Sequence, residues 1–192
     1  VVKLSPVQHQ AAPLRNKIIA ALRSAIETLG LERTWAAVRR ADLALVVVDA
    51  QYDYLDSVAD QADVSRFIEH TAAVLDEFRQ AGLPVVHVRT RVHRDGSGAM
   101  PHRQANPLCV DGTRGAETPA ELRELDWEPV FVKSHFSGFD NSDFEAFLHA
   151  HPVTTLVIAG THTHACVRDV AALAKEACRP STKRTVSTVE LK

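Results

Sequence analysis

Leu43–Val48 reads LALVVV, an apolar and largely β-branched run that no polar residue interrupts. A strand wetted on one face alternates apolar with polar side chains. An uninterrupted run suits a strand covered on both faces, as in a parallel sheet with helices packed above and below. Three further runs share the pattern: PVVHV at Pro84–Val88, VFV at Val130–Val132 and TLVIA at Thr155–Ala159. Between them lie helical stripes. Val64, Phe67, Ile68, Thr71, Val74, Leu75 and Phe78 recur at steps of three and four residues, with Gly82 and Pro84 supplying the stop. Ser142-Asp143-Phe144-Glu145 has the form of a capping box, and Cys166 opens a helix with Val167, Val170, Ala171 and Ala174 on one face. Strand and helix in alternation predict an α/β fold: a three-layer, open, mostly parallel sheet of Rossmann-like topology with helices on both faces.

The remaining segments fit this pattern less directly. Residues 91–128 form a Gly- and Pro-containing stretch with one weak helical piece near Ala120–Leu125, long enough to be expected as a functional lid. Residues 1–41 read as an N-terminal helical extension of uncertain role, preceding a domain over residues 42–192. Within the tail after Cys178, Thr185–Leu191 is either a makeshift edge strand or a sign that the last strand is incomplete.

A charged fraction of 24%, with both signs scattered and a net charge of −2, gives no basic patch for nucleic acid. No apolar run approaches the roughly 20 residues a membrane helix needs. Cys109, Cys166 and Cys178 show no CxxC spacing, and the first residues lack a secretory leader's basic head and apolar body. A cytoplasmic setting with free thiols is therefore expected, with a small molecule as partner and neither nucleic acid nor membrane.

Parallel strands send their carboxyl ends to one edge, where ligands bind. Asp49 follows LALVVV, Lys133 follows VFV, and Cys166 lies just past TLVIA. A helix N-terminus and a neighbouring ammonium would lower the thiol pKa, a carboxylate would carry the proton, and turn amides would hold an oxyanion. Taken singly, each residue has an ordinary alternative: a structural carboxylate, a surface lysine, a small buried apolar cysteine. Their meeting at the predicted active edge favours chemistry.

The segments LVVVDAQYDY, GLPVVHVRT, CVDGTRGAETPAEL, VFVKSHFSGF and LVIAGTHTHACVRD, in this order, resemble the isochorismatase-like cysteine hydrolases, whose members include nicotinamidases, N-carbamoyl amide hydrolases and ureidoacrylate hydrolases. The resemblance implies a catalytic triad of Asp49, Lys133 and Cys166. It also implies a cis peptide at Thr161–His162 that aims amides at the oxyanion, and a homo-oligomer. Thr161, His162, Tyr54 and Phe136 are the expected substrate and oxyanion positions, and Phe139 suits either pocket or core. Ether-cleaving isochorismatases do without the cysteine, so Cys166 directs the expectation to C–N hydrolysis through an acyl-cysteine. An ether hydrolase, or a silent domain that binds a partner, is the alternative. No cofactor is implied. His87, His93 and His102 have no compact ligand spacing, and His162 and His164 read as backbone and rim positions, so no metal is assigned. LGLERTWAAVRRADLALVVVDA also resembles a segment of tRNA-modification GTPases, but no GxxxxGK[ST] loop is present to hold a phosphate.

Overall fold

The computed structural model describes residues 43–134, 137–151, 153, 155–161, 163–177 and 185–188, and these contain one five-stranded sheet. The N-terminal extension, Phe136, and His162 with its peptide bond to Thr161 lie outside the described residues. β1 (Leu43–Val48) is central. β2 (Val85–Thr90) and β3 (Val130–Lys133) extend the sheet on one side, β4 (Thr155–Gly160) and β5 (Thr185–Thr188) on the other. Every pairing is parallel, in the order β3-β2-β1-β4-β5. The tail thus contributes an edge strand, with Thr185–Thr188 in register with Thr155–Ile158.

The uninterrupted run in β1 has the predicted cause. Leu43, Leu45 and Val47 pack with Leu75 and Phe78 on one face, while Ala44, Val46 and Val48 pack with Phe144, Leu148 and Val170 on the other. Full burial of each larger aliphatic contributes about 1.5–3 kcal/mol, so one strand stabilises both layers. After the short α1 (Tyr52–Leu55), α2 (Gln61–Gln80) covers the first face. Asp60 caps α2 by accepting from the Ala62 amide at 2.8 Å. Its far end is a Schellman motif: Gly82 has φ of +63°, its amide reaches the Arg79 carbonyl, and the Leu83 amide reaches the Phe78 carbonyl at 3.0 Å.

α3 (Ser142–Ala150) and α4 (Arg168–Ala177) cover the second face. Two expected helix starts move. The cap of α3 is Asn141, not Ser142: its side chain accepts from Asp143 N at 3.0 Å and donates to the Val132 carbonyl, tying the helix to β3. Cys166 does not open α4 but sits in a π turn, Thr163–Val167, just before it.

The long stretch between β2 and β3 is anchored along its length. Val92 pairs with Val110, Cys109 N donates to Asp53 at 2.6 Å, and Tyr52 N donates to the Glu117 carbonyl at 2.9 Å. The weak helical piece narrows to a 3-10 turn at Ala120–Leu122, with Leu122 fully buried. Its last turn is held by Glu128, which binds Arg79 of α2 at 2.7 Å and lies 2.9 Å from His87 Nε2. His87, inside the PVVHV run expected as a strand, is a buried residue of β2.

Candidate active site

Parallel register brings the strand ends level: Val48 lies beside Val88 and Gly160, and Thr90 beside Lys133. The chain turns sharply at Asp49, whose φ of +52° is in the left-handed region. That conformation is uncommon for a non-glycine residue and concentrates at functional sites. The turn leaves the carboxylate at the sheet edge, only 1% exposed, with Lys133 at 3% and Cys166 at 5%.

Asp49 Oδ2 lies 2.8 Å from Lys133 Nζ. Lys133 Nζ donates to Cys166 Sγ at 3.5 Å and to Thr90 Oγ1 at 3.1 Å. The acid, amine and thiol expected from three separate strands therefore meet at one point. Nearly complete burial would be costly for either charge alone, and each ion offsets the other's desolvation.

One electrostatic expectation is reversed. Burial first, and the Asp49 carboxylate second, push the Cys166 thiol up to about 12, with Lys133 pulling against them. The π-turn position and the ammonium are both present, but an anion alongside and exclusion from water outweigh them. Burial and the neighbouring carboxylate thus favour the neutral thiol in the free protein.

Tyr54 lines the cavity beside the thiol, its hydroxyl donating to Thr90 Oγ1 at 3.0 Å. Burial and the Asp49 charge hold that phenol protonated. Thr161, expected among the substrate and oxyanion positions, donates its hydroxyl to the Asp49 carbonyl at 3.0 Å and does not line the cavity. It braces the turn after β4 against the turn after β1. Phe139 packs edge-on to Phe144 with ring centroids 5.0 Å apart, on the core side of its two expected locations.

The cavity, about 100 Å³, is lined by Cys166, Lys133, Thr90 and Tyr54 at its inner end, with Met100 and Arg103 brought by the long stretch. Sequence reading missed Thr90, Gln51 and Cys109. Thr90 ends β2 and was within reach of the strand-end rule that found Lys133. Gln51 donates to the Thr90 carbonyl at 2.8 Å and accepts from its amide at 2.9 Å, locking β2 to the turn after β1. Cys109 is fully buried, and burial and then Asp49 push its thiol up to about 12.

The Isochorismatase domain family matches residues 43–177. A secreted isochorismatase effector of Verticillium dahliae is 29% identical over 130 residues, spanning 68% of this chain, which covers 63% of that protein's length. A probable inactive nicotinamidase of Arabidopsis thaliana is 31% identical, with 69% of this chain and 72% of that protein aligned. The crystal structure of N-carbamoylsarcosine amidase from Thermoplasma acidophilum superimposes with a TM-score of 0.65 at 26% identity, covering 77% of this chain and 81% of that one. The family match runs from the first residue of β1 to the last of α4 and takes in all three converging side chains, and the chain belongs to the isochorismatase family.

Proposed function

We propose that the protein is a cysteine hydrolase that cleaves the C–N bond of a small amide or carbamoyl compound. The observation that carries this reading is the contact of Cys166 Sγ with Lys133 Nζ at 3.5 Å, itself 2.8 Å from Asp49, at the inner end of a cavity. Relatives named as an N-carbamoylsarcosine amidase and a ureidoacrylate amidohydrolase support it.

Asp49 takes the thiol proton as the sulfur attacks the carbonyl carbon, and the tetrahedral oxyanion is held by amides of the turn carrying Cys166. Lys133 stabilises the thiolate as it forms. The C–N bond breaks, Asp49 returns the proton to the leaving nitrogen, and a thioester on Cys166 remains. Water then attacks the thioester, giving its proton to Asp49. The C–S bond breaks, the acid leaves, and the sulfur recovers its proton.

A silent binding domain is the rival, favoured by the relative named a probable inactive nicotinamidase. Incubation with a panel of primary amides and N-carbamoyl acids separates the two. The hydrolase releases ammonia or amine, shows a mass adduct on Cys166 when quenched, and loses both in Cys166→Ala. Turnover by Cys166→Ala equal to the parent's removes the mechanism, and no turnover by a folded parent favours the silent domain.

A further inference from the structure

We infer that Thr90 is the positioning residue that sets which oxygen of Asp49 serves as the base and where the Lys133 ammonium sits. The assignment rests on the hydrolase reading above for its consequence in turnover, and on geometry alone for its effect on the thiol.

A threonine hydroxyl offers one donor and two acceptor lone pairs. In Thr90 all three are engaged. The hydroxyl donates to Asp49 Oδ1 at 3.0 Å and accepts from Lys133 Nζ at 3.1 Å and from Tyr54 Oη at 3.0 Å. Thr90 N donates to the same Oδ1 at 3.1 Å. Oδ1 therefore receives two hydrogen bonds from one residue, which occupy that oxygen and fix the plane of the carboxylate. Oδ2, facing Lys133 at 2.8 Å, is left as the oxygen to receive the thiol proton. The same hydroxyl gives the ammonium a second anchor, so that Nζ points toward Cys166 Sγ and does not collapse onto the carboxylate alone. The Thr90 backbone is clamped in turn by Gln51 on both its N–H and its C=O. Thr90 thus touches the acid, the amine and the phenol at once, from the end of a buried strand.

Thr90→Val keeps the shape and removes the hydroxyl, while Thr90→Ser keeps the hydroxyl and removes a methyl group. Two measurements are made on each folded protein: alkylation of Cys166 by iodoacetamide in mildly alkaline buffer, followed by peptide mass, and steady-state hydrolysis of whichever amide the parent cleaves. With valine, Lys133 loses its anchor on the Thr90 hydroxyl and is less well placed beside Cys166, so thiolate forms less readily. Alkylation falls about fivefold or more. kcat falls roughly 10- to 100-fold while KM changes little, the signature of lost transition-state positioning. Serine restores both to near the parent's values. If valine does not fold, Thr90→Cys, similar in size and a weak hydrogen-bonding partner, is read in the same way. Parent-like alkylation and kcat in the valine variant, or a serine variant as impaired as valine, overturns the assignment. A parent that cleaves no amide, with alkylation still dependent on the Thr90 hydroxyl, refutes the hydrolase reading and leaves the role of Thr90 intact. Cys166-dependent turnover that ignores Thr90→Val does the reverse.

Discussion

In the proposed hydrolase, Cys166 meets two opposed demands. It must be close enough to Asp49 to lose a proton and deep enough to exclude water, and both conditions favour the neutral thiol until substrate arrives. Its reactivity in the free protein should therefore be low. With the thiol held at about 12 rather than the ordinary 9.0, alkylation at neutral pH is expected to be slower than for an unhindered model thiol and to climb steadily through the alkaline range. A rate that is fast and flat across neutral pH, measured by mass spectrometry of the Cys166 peptide, would instead reveal a resting thiolate. Asp49, Lys133 and Cys166 were legible in the sequence because each sits at or beside the end of an unmistakable apolar run. Thr90 was not, although it occupies the same kind of position. A hydroxyl at a strand end carries no charge to draw notice, and its importance lies in three partners that only folding assembles.

Among elements, β4 and the turn that follows it are closely fitted to β1. A Cβ added at Gly160 would meet the Val48 carbonyl oxygen at 2.6 Å and Val167 Cγ2 at 2.7 Å, backbone on one side and the turn that carries Cys166 on the other. Neither neighbour can give way freely. Gly160→Ala is expected to cost about 2–3 kcal/mol, read from the urea midpoint, and, on the proposed hydrolase mechanism, to lower turnover by moving Cys166 away from Lys133. An unchanged midpoint would mean that the turn yields more readily than its packing indicates. Strand existence and order of burial were readable here because period and length decide them. Helix starts were less so. The α3 cap shifts by one residue because the Asn141 side chain can serve both Asp143 N and the Val132 carbonyl, a tertiary bond invisible in the local motif.

Across the whole molecule, buried ionisable groups predict a stability curve that falls at both ends of the pH range. Burial tends to raise the Glu128 carboxyl, but the Arg79 and His87 hydrogen bonds overcome it and hold the group at about 2 against an ordinary 4.5. A depressed acid contributes stability that is fully present above its unfolded value, so that contribution is lost as pH falls from 4.5 toward 2. At the other end the sign is reversed. In the unfolded chain Cys109 and Cys166 ionise near 9.0, but in the fold both stay protonated to about 12, so the unfolded state alone releases protons in that interval and stability declines as pH rises through it. Tyr54, its phenol also raised by burial, adds to the decline from its ordinary 10.0 upward. Melting temperatures measured across the range should form a plateau with two flanks, and Glu128→Gln should lower the plateau and flatten the acid flank. An acid flank of equal slope in both proteins would reassign it to other carboxylates.

The Val92–Val110 pairing gives this arrangement a division of labour. It closes the intervening stretch into a ring at its base, and that ring brings Met100 and Arg103 to the cavity while carrying none of Asp49, Lys133, Cys166 or Thr90. In the proposed hydrolase, the doorway and the engine are thus built from different pieces of chain. Changes in what is admitted can accumulate in the ring while the chemistry behind it stays in tune.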